Sequence, residues 1–347
     1  MVCLARADAA AMQRIKCQSY PSHVTLQPER YVMSTRGAAL LQPDAAGLAR
    51  AAEILTQGGL VSFPTETVYG LGADARNDRA VAAIFAAKGR PSFNPLIVHL
   101  GDITAANEIC DFNDDARCLA AAFWPGALTL VLPLRPQAGI SRLVTAGLDS
   151  IAVRVPDHKV AQGLLAAFGG PVAAPSANAS GRISPTTAAH VRDSLGDRID
   201  ALVDGGPCFV GLESTIVACL GTPTLLRAGG IPSEAIAACL GRPLAISENP
   251  DAPVSPGQLL SHYAPIGQVR LNATARQDGE VMLGFGLMDA DLNLSPAGDL
   301  TEAAARLFDC LHQLDAMGAA RIAVAPIPDH GLGRAINDRL KRAAAPR

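Results

Sequence analysis

Apolar and polar positions along this chain repeat with two different periods. From Asp44, the stretch DAAGLARAAEILTQGG carries its apolar residues on one helical face, ends in glycines and leads into the short apolar run GLVSFP. The stretch from about Asp78 to Lys88 has the same helical period and is followed by the apolar run PLIVHL. Amphipathic helices that interleave with short apolar runs predict an α/β sandwich with buried strands.

The alternation of helices and apolar runs continues to about Gly230. Short turns connect several of the apolar runs in this part of the chain. These runs are ALTLVLPL, SIAVRVPD, PVAAPSAN, ALVDGG, STIVACL and PTLLRAG. Because parallel strands need a long crossover and antiparallel strands do not, the short connections predict a mixed sheet.

The rest of the chain divides into three further parts. Residues 247–266 contain SENPDAPVSPGQLLSHYAP, which is rich in proline and has no hydrophobic period, so they predict a linker. Residues 267–347 predict a small β-α-β domain that ends in the basic helix GRAINDRLKRAAAPR. Residues 1–32 lack an apolar period. We interpret them as a disordered extension, or as an extension that is present only because the start codon was assigned upstream of Met33, and an organelle transit peptide is a further alternative. A larger α/β domain is then predicted over residues 38–246.

Composition narrows the classes of function. The chain has 347 residues, 49% of them hydrophobic and 18% charged, with a net charge of −3. With this net charge the protein as a whole does not attract nucleic acid or anionic lipid, so any nucleotide site must depend on a local group of basic side chains. Eight cysteines without a C-x-x-C pair argue against a zinc knuckle and suit reduced thiols in the cytoplasm. No apolar run reaches the ~18–20 residues that span a bilayer, so no membrane is expected.

Common motifs for phosphate binding and hydrolysis are missing. The sequence contains no G-x-x-x-x-G-K-[ST], no G-x-S-x-G and no H-E-x-x-H, and HGLGRA does not complete a dinucleotide fingerprint. An enzyme of nucleotides with this sequence would therefore hold phosphates with side chains.

Basic side chains at element ends are the first candidates. In KGRPSFNPLIVHL, Lys88 and Gly89 suit a helix C-terminus, and Arg90 follows them, so the segment predicts either a helix cap or an anion site. Arg154 lies inside the apolar run SIAVRVP, where a charge needs a partner. An internal salt bridge and an anionic ligand are both open for Arg154.

Polar clusters follow several of the predicted strands. They include PTETVYGLGAD with Thr67, APSANASG with Ser176 and Asn178, LESTIV with Ser214, and LLRAGG with Arg227. Strand ends of one α/β layer are where ligand sites commonly form, so together these clusters indicate a binding site.

Seven segments occur in an order and spacing that resemble the YrdC-like family, in its long, two-domain form of L-threonylcarbamoyladenylate synthases. They are SFPTETVYGLGAD, KGRPSFNPLIVHL, FWPGALTLVL, SIAVRVP, APSANASG, LESTIV and LLRAGGI. The family signature K-x-R with S-x-N is met by Lys88, Arg90, Ser176 and Asn178. The resemblance implies a mixed twisted sheet with helices that form a basic concave cavity, plus a small Rossmann-like C-terminal domain.

The resemblance also implies a reaction, in which L-threonine, bicarbonate and ATP give threonylcarbamoyl-AMP and pyrophosphate. Lys88, Arg90 and Arg154 would be catalytic, with Mg²⁺ held mainly by the phosphates and no protein metal ligand. The implied L-threonine site comprises Thr67, His99, Arg154 and Ser214. The implied ATP site comprises Lys88, Arg90, Asn94, Ser150, Ser176, Asn178, Ser184, Arg227 and, from a linker that acts as a lid, Tyr263.

The family passes its product to a separate tRNA threonylcarbamoyl transferase, which makes t6A in tRNAs that read A-starting codons, so direct stable tRNA binding is not expected. Two alternatives share the fold. A carbamoyl-adenylate-forming maturation enzyme would carry zinc-finger cysteine pairs, which this chain lacks. An RNA-binding module would need interleaved basic and aromatic residues, which are also lacking.

Overall fold

The computed structural model of the protein describes residues 37–91, 94–246 and 262–346. The predictions for residues 1–32, and most of the predicted linker, therefore lie outside the described residues. The described helices of the larger part are α1 (Ala45–Thr56), α2 (Asp78–Lys88), α3 (Ile103–Ile109), α4 (Asp114–Phe123), α5 (Lys159–Phe168), α6 (Ala188–Leu195) and α7 (Ser233–Leu240).

Eleven described strands form one mixed sheet. The strands are β1 (Ala39–Leu41), β2 (Val61–Pro64), β3 (Tyr69–Asp74), β4 (Ile97–His99), β5 (Leu128–Pro133), β6 (Ser150–Arg154), β7 (Val172–Ala173), β8 (Ala201–Val203), β9 (Thr215–Ala218), β10 (Thr224–Arg227) and β11 (Ala245–Ile246). Their order is β1-β8-β2-β3-β7-β4-β6-β5-β9-β10-β11. Both parallel pairs, such as β4–β6, and antiparallel pairs, such as β2–β3, occur, which confirms the predicted mixed sheet.

The start and end of α2 follow directly from its sequence. The side chain of Asn77 accepts hydrogen bonds from the amides of Arg79 and Ala80 at the N-terminus. At the C-terminus Gly89 has a φ of 59°, a left-handed conformation that costs glycine little. The helix therefore stops at Lys88, whose side chain faces the sheet.

A second sheet with two helices lies in the C-terminal part of the chain. The described elements are β12 (Gln268–Arg270), β13 (Val281–Gly284), β14 (Leu292–Asn293), α8 (Leu300–Ala316), β15 (Arg321–Val324) and α9 (Leu332–Ala343), with strand order β12-β15-β13-β14 and parallel pairing throughout. The predicted β-α-β unit is confirmed. The two sheets fall within the ranges 38–246 and 267–347, which as domain boundaries stay a prediction.

The hydrophobic core of the C-terminal part extends beyond that part. Leu307, Phe308 and Leu311 of α8 belong to the same buried cluster as Val68 and Leu212 from the larger part. The C-terminal part therefore packs directly on the segments that follow β2 and precede β9.

Candidate functional site

A small cavity lies at the carboxyl ends of β4 and β6. These two strands are parallel and pair His99 with Arg154, so both side chains arrive at the same edge of the sheet. The cavity has a volume of about 50 Å³, room for a few water molecules, so a larger ligand requires the surrounding side chains to move apart. Its lining consists of Thr65, Thr67, Val68, Gly70, Arg90, Ile97, His99, Arg154, Ala174, Pro175, Ser176, Glu213, Ser214, Arg227, His262 and Tyr263.

Arg154 forms a buried ion pair, one of the two alternatives that the sequence left open. Its Nη2 lies 2.5 Å from Oε1 of Glu66, and both side chains are almost fully buried. Its Nη1 donates to the hydroxyl of Thr67 at 2.9 Å, and its Nε donates to the carbonyl of Gly126 at 3.1 Å. Contacts within the described part of the chain use three of the five guanidinium N–H groups, which leaves two there for a ligand.

His99 is neutral at physiological pH. Burial, reinforced by the nearby charge of Arg154, lowers the pKa of His99 to about 3. The ring meets Phe63 edge-on with centroids 6.3 Å apart, and Nδ1 has no hydrogen-bond partner among the residues that the structure describes. His99 therefore offers a ligand one neutral nitrogen beside an apolar wall.

Lys88 and Arg90 leave α2 on either side of the glycine cap. The ammonium of Lys88 donates to the backbone carbonyls of Ser176 and Asn178, so the two halves of the K-x-R and S-x-N signature are in direct contact. Burial, together with the charges of Arg90 and Arg198, holds the pKa of Lys88 well below its usual value. Arg90 donates to the carbonyl of Pro95 at 3.0 Å, and burial lowers its pKa to about 10.

Ser214 is fixed by two polar neighbours. Nη2 of Arg227 donates to its carbonyl at 2.9 Å and to its hydroxyl at 3.2 Å, and the hydroxyl lies 2.7 Å from that of Thr129. Burial is the main cause of the lowered pKa of Arg227, as it is for Lys88 and Arg90. Three buried cations thus lie at or beside one small volume.

The predicted site residues do not all reach the cavity. Asn94 is fully buried, and both its amide atoms lack a partner among the described residues. Asn178 uses its Nδ2 on the carbonyls of Ala179 and Arg182. Ser184 does not line the cavity and donates its hydroxyl to Glu213 at 2.5 Å.

Ser150 lies at the start of β6, away from the cavity, and its role in ATP binding stays a prediction. It begins β6 opposite Pro133 of β5, whereas Arg154 ends the strand at the cavity. Four residues at ~3.3 Å each put the two about 13 Å apart along the strand. The family resemblance alone suggested Ser150, without regard to the direction of β6.

The described end of the predicted lid lies against the cavity. Tyr263 is buried, adopts a left-handed φ of 61° and stacks on Phe308 with centroids 5.4 Å apart. The amide of Ala264 donates to the carbonyl of Gly181 at 3.0 Å. His262 is also buried, and burial together with the surrounding cations holds its pKa well below its usual range. The rest of SPGQLLSHYAP lies outside the described residues.

Sequence reasoning missed two carboxylates and one cation. Glu66 and Glu213 were noted only as members of polar clusters, yet each forms a buried ion pair, with Arg154 and with Arg339 of α9. The signal for Arg339 was present in GRAINDRLKRAA, because it is three and four residues after Ile336 and Ala335 and so lies on the buried face of the helix.

Neither a protein-held metal nor a membrane span is found in the described part of the chain. No group of three or more histidine, cysteine or acidic side chains there is placed to hold a metal ion. No described helix is both long and apolar enough to cross a bilayer.

Comparison with known proteins gives a consistent result. The Sua5/YciO/YrdC family model described as "Telomere recombination" matches residues 53–229, and the model "Threonylcarbamoyl-AMP synthase, C-terminal domain" matches residues 231–345. The chain is 42% identical to a threonylcarbamoyl-AMP synthase of Bacillus subtilis, over 86% of this chain and 93% of the relative. It is 39% identical to one of Pyrococcus abyssi, over 85% and 93%. The crystal structure of P. abyssi Sua5 complexed with L-threonine superposes with a TM-score of 0.82 at 36% identity, covering 88% of this chain and 97% of that one.

Proposed function

The chain belongs to the threonylcarbamoyl-AMP synthase family, and on this premise we propose how its cavity serves the reaction. The protein is a nucleotidyltransferase that converts L-threonine, bicarbonate and ATP to threonylcarbamoyl-AMP and pyrophosphate. The roles of individual residues in this conversion are our proposal.

The triphosphate binds to Lys88, Arg90 and Arg227. The observation that carries this assignment is the convergence of the three buried cations, since Arg90 and Arg227 line the cavity and Lys88 contacts Ser176 of its wall. Burial of a cation is costly, and a bound polyanion relieves that cost.

Polar groups complete the nucleotide site. Ser176, Asn94 and Asn178 supply amide and hydroxyl groups beside the cations, and Tyr263 covers the nucleotide. Ser150 stays a predicted member of this site, and Ser184 acts through Glu213.

L-Threonine binds at the other side of the cavity. Its carboxylate takes the two remaining N–H groups of Arg154, and its side chain lies between Thr67 and His99. A neutral His99 suits this place because its ring can hydrogen-bond the threonine hydroxyl without adding a charge to the pocket. The hydroxyl of Ser214 contacts the amino acid, and Arg227 holds that serine in position.

The chemistry proceeds in two bond-forming steps. The threonine amine attacks the carbon of CO2 derived from bicarbonate and loses a proton, which gives a carbamate. A carbamate oxygen then attacks the α-phosphorus of ATP, and the bond from that phosphorus to the pyrophosphate oxygen breaks. Negative charge grows on the α-phosphate and the leaving pyrophosphate, so cations fixed beforehand stabilise the transition state.

Mg²⁺ would enter with ATP. The two carboxylates at the cavity are already paired, Glu66 with Arg154 and Glu213 with Arg339. An ion bound by the phosphates therefore fits this donor set better than an ion bound by side chains. Its chemistry would be to neutralise the departing pyrophosphate.

The product is then consumed outside this protein. We place the protein in the cytoplasm, where ATP and tRNA occur together, and propose that a separate transferase moves the threonylcarbamoyl group to tRNA to make t6A. The net charge of −3 argues against stable tRNA binding by this chain itself.

Pyrophosphate release tests the assignment. Purified protein with ATP and Mg²⁺ should release pyrophosphate only when L-threonine and bicarbonate are both present. Arg90→Ala should abolish this release, whereas Arg79→Ala, on the exposed face of the same helix, should not. Release without threonine would refute the proposed reaction, and full activity of Arg90→Ala would refute the triphosphate assignment.

A further inference from the structure

Helix α9 places a fully buried arginine behind two residues of the cavity wall, Glu213 and Tyr263. Arg339 has no exposed surface although it lies in the basic C-terminal helix. Its Nε donates to Oε2 of Glu213 at 3.1 Å, and its Nη1 donates to the carbonyl of Ala228 at 2.6 Å. Its guanidinium carbon lies 5.4 Å from the centre of the Tyr263 ring. One side chain of the C-terminal part thus touches three segments of the cavity region.

Both carboxylate oxygens of Glu213 accept a hydrogen bond. Oε1 accepts the hydroxyl of Ser184 at 2.5 Å, and Oε2 accepts Nε of Arg339. The backbone carbonyl of Glu213 accepts the amide of Gly230 at 2.9 Å. Burial by itself raises the pKa of Glu213, but the charges of Arg339 and Arg227 outweigh it, so the net pKa is lowered and the carboxylate is ionised.

An ionised carboxylate is an unusual neighbour for this cavity. ATP and bicarbonate are anions and L-threonine carries a carboxylate, and Glu213 lines the cavity immediately before Ser214. Besides Arg339, the charge of Arg227 also acts on Glu213, but the structure directs the Nη2 of Arg227 at Ser214. An unpaired Glu213 would repel the substrates and also draw Arg227 away from its place.

We propose that Arg339 is a positioning residue of the synthase, by which the C-terminal domain neutralises Glu213 beside the substrates and so keeps Arg227 directed at Ser214. The proposal rests on the proposed function. It assigns to the C-terminal domain a specific contribution to substrate binding, made through charge, besides its contribution to the hydrophobic core.

Substitution of both partners tests this role. Arg339→Met keeps the side-chain stem, removes the charge and should raise the KM for L-threonine and for ATP by at least about tenfold, with a smaller effect on kcat. Arg339→Met combined with Glu213→Gln should recover most of the lost affinity, because the carboxylate that needed Arg339 is gone. Arg334→Met is the matched control, since Arg334 lies on the same helix in an exposed pair with Glu234, and it should match the wild type.

A purely structural role gives different results. If Arg339 acted only through packing, the double variant would be no better than Arg339→Met, and that outcome would overturn the proposal. Wild-type KM values in Arg339→Met would do the same. If Arg339→Met does not fold, Arg339→Lys is the second variant. It keeps the charge but not the fork of N–H donors, so an affinity within about tenfold of the wild type supports a role in charge. A loss in Arg339→Lys of tenfold or more would count against a role in charge.

Failure of the proposed function is distinguishable. Wild-type protein that bound ATP but released no pyrophosphate with threonine would refute the reaction, while ATP titration calorimetry on the same variants would still test Arg339.

Discussion

Replacing Lys88 with methionine should separate stability from nucleotide binding. The variant removes a buried ammonium whose pKa lies well below its ordinary value, so folding no longer dehydrates a charge. Against this gain, the carbonyls of Ser176 and Asn178 lose their shared donor, and unsatisfied buried acceptors cost ~1–3 kcal/mol. Because the two effects oppose each other, we expect the free energy of unfolding to change by less than about 2 kcal/mol.

The same residue makes stability depend on pH with a defined sign. The folded-state pKa of Lys88 is lowered, whereas the unfolded chain titrates near 10.4, at the ordinary value for lysine. Between these two values the unfolded state binds more protons, so the stability of the wild type rises with pH through that window. Lys88→Met lacks this contribution. Urea unfolding of both proteins between pH 7 and about 10 should therefore show the wild type gaining stability relative to the variant.

Binding should respond far more strongly than stability. Lys88 is one of three cations proposed for the triphosphate, and loss of a charge-assisted contact in a buried site should weaken ATP binding at least about tenfold by calorimetry. Near-wild-type ATP affinity would refute the phosphate assignment. A loss of stability above about 4 kcal/mol would refute the reasoning that the lysine is a costly buried charge.

Two further predictions concern residues of the cavity. Arg154→Met should destabilise the protein by about 3–5 kcal/mol, because it leaves Glu66 buried and unpaired. In urea unfolding, the added change Glu66→Gln should recover at least part of that loss. No recovery would mean that Arg154 does not stabilise the protein through its ion pair with Glu66. If the linker acts as a lid, Tyr263→Ala should weaken ATP binding or speed hydrolysis of the adenylate, whereas Tyr263→Phe, which keeps the ring, should retain activity. A fully active Tyr263→Ala would contradict the lid. This substitution is a better test than truncation after Ile246, which would also expose Val68 and Leu212.

Local features of the fold were predictable from the sequence. The apolar period of α2 and the glycine after it gave that helix its correct end, and the short connections between apolar runs gave the mixed sheet. These features depend on residues close together in the chain. The sequence could not show whether Arg154 pairs with an acidic side chain or with a ligand. Its partner Glu66 lies 88 residues earlier, and only the folded sheet brings the two together.

The sequence predicted which residues belong to the site better than it predicted how they are arranged. Lys88 and Ser176 were paired by a motif, but the sequence did not show that the ammonium contacts a backbone carbonyl there. Ser150 was assigned without the direction of its strand. Arg339 was overlooked because a basic terminal helix suggests a solvated surface, and only the packing of α9 shows which of its cations is buried.

The pairing of Glu213 with Arg339 has a consequence for the order in which the protein matures. Arg339 follows Glu213 by 126 residues, so during synthesis the carboxylate leaves the ribosome well before its counter-ion. Domains generally fold as units, the N-terminal one first, at a translation rate of about 5–20 residues per second. For roughly 6 to 25 seconds at that rate the larger sheet could form around a cavity that still carries an unpaired negative charge. On our proposal the nascent chain would therefore reach its full affinity for ATP and L-threonine only when α9 docks.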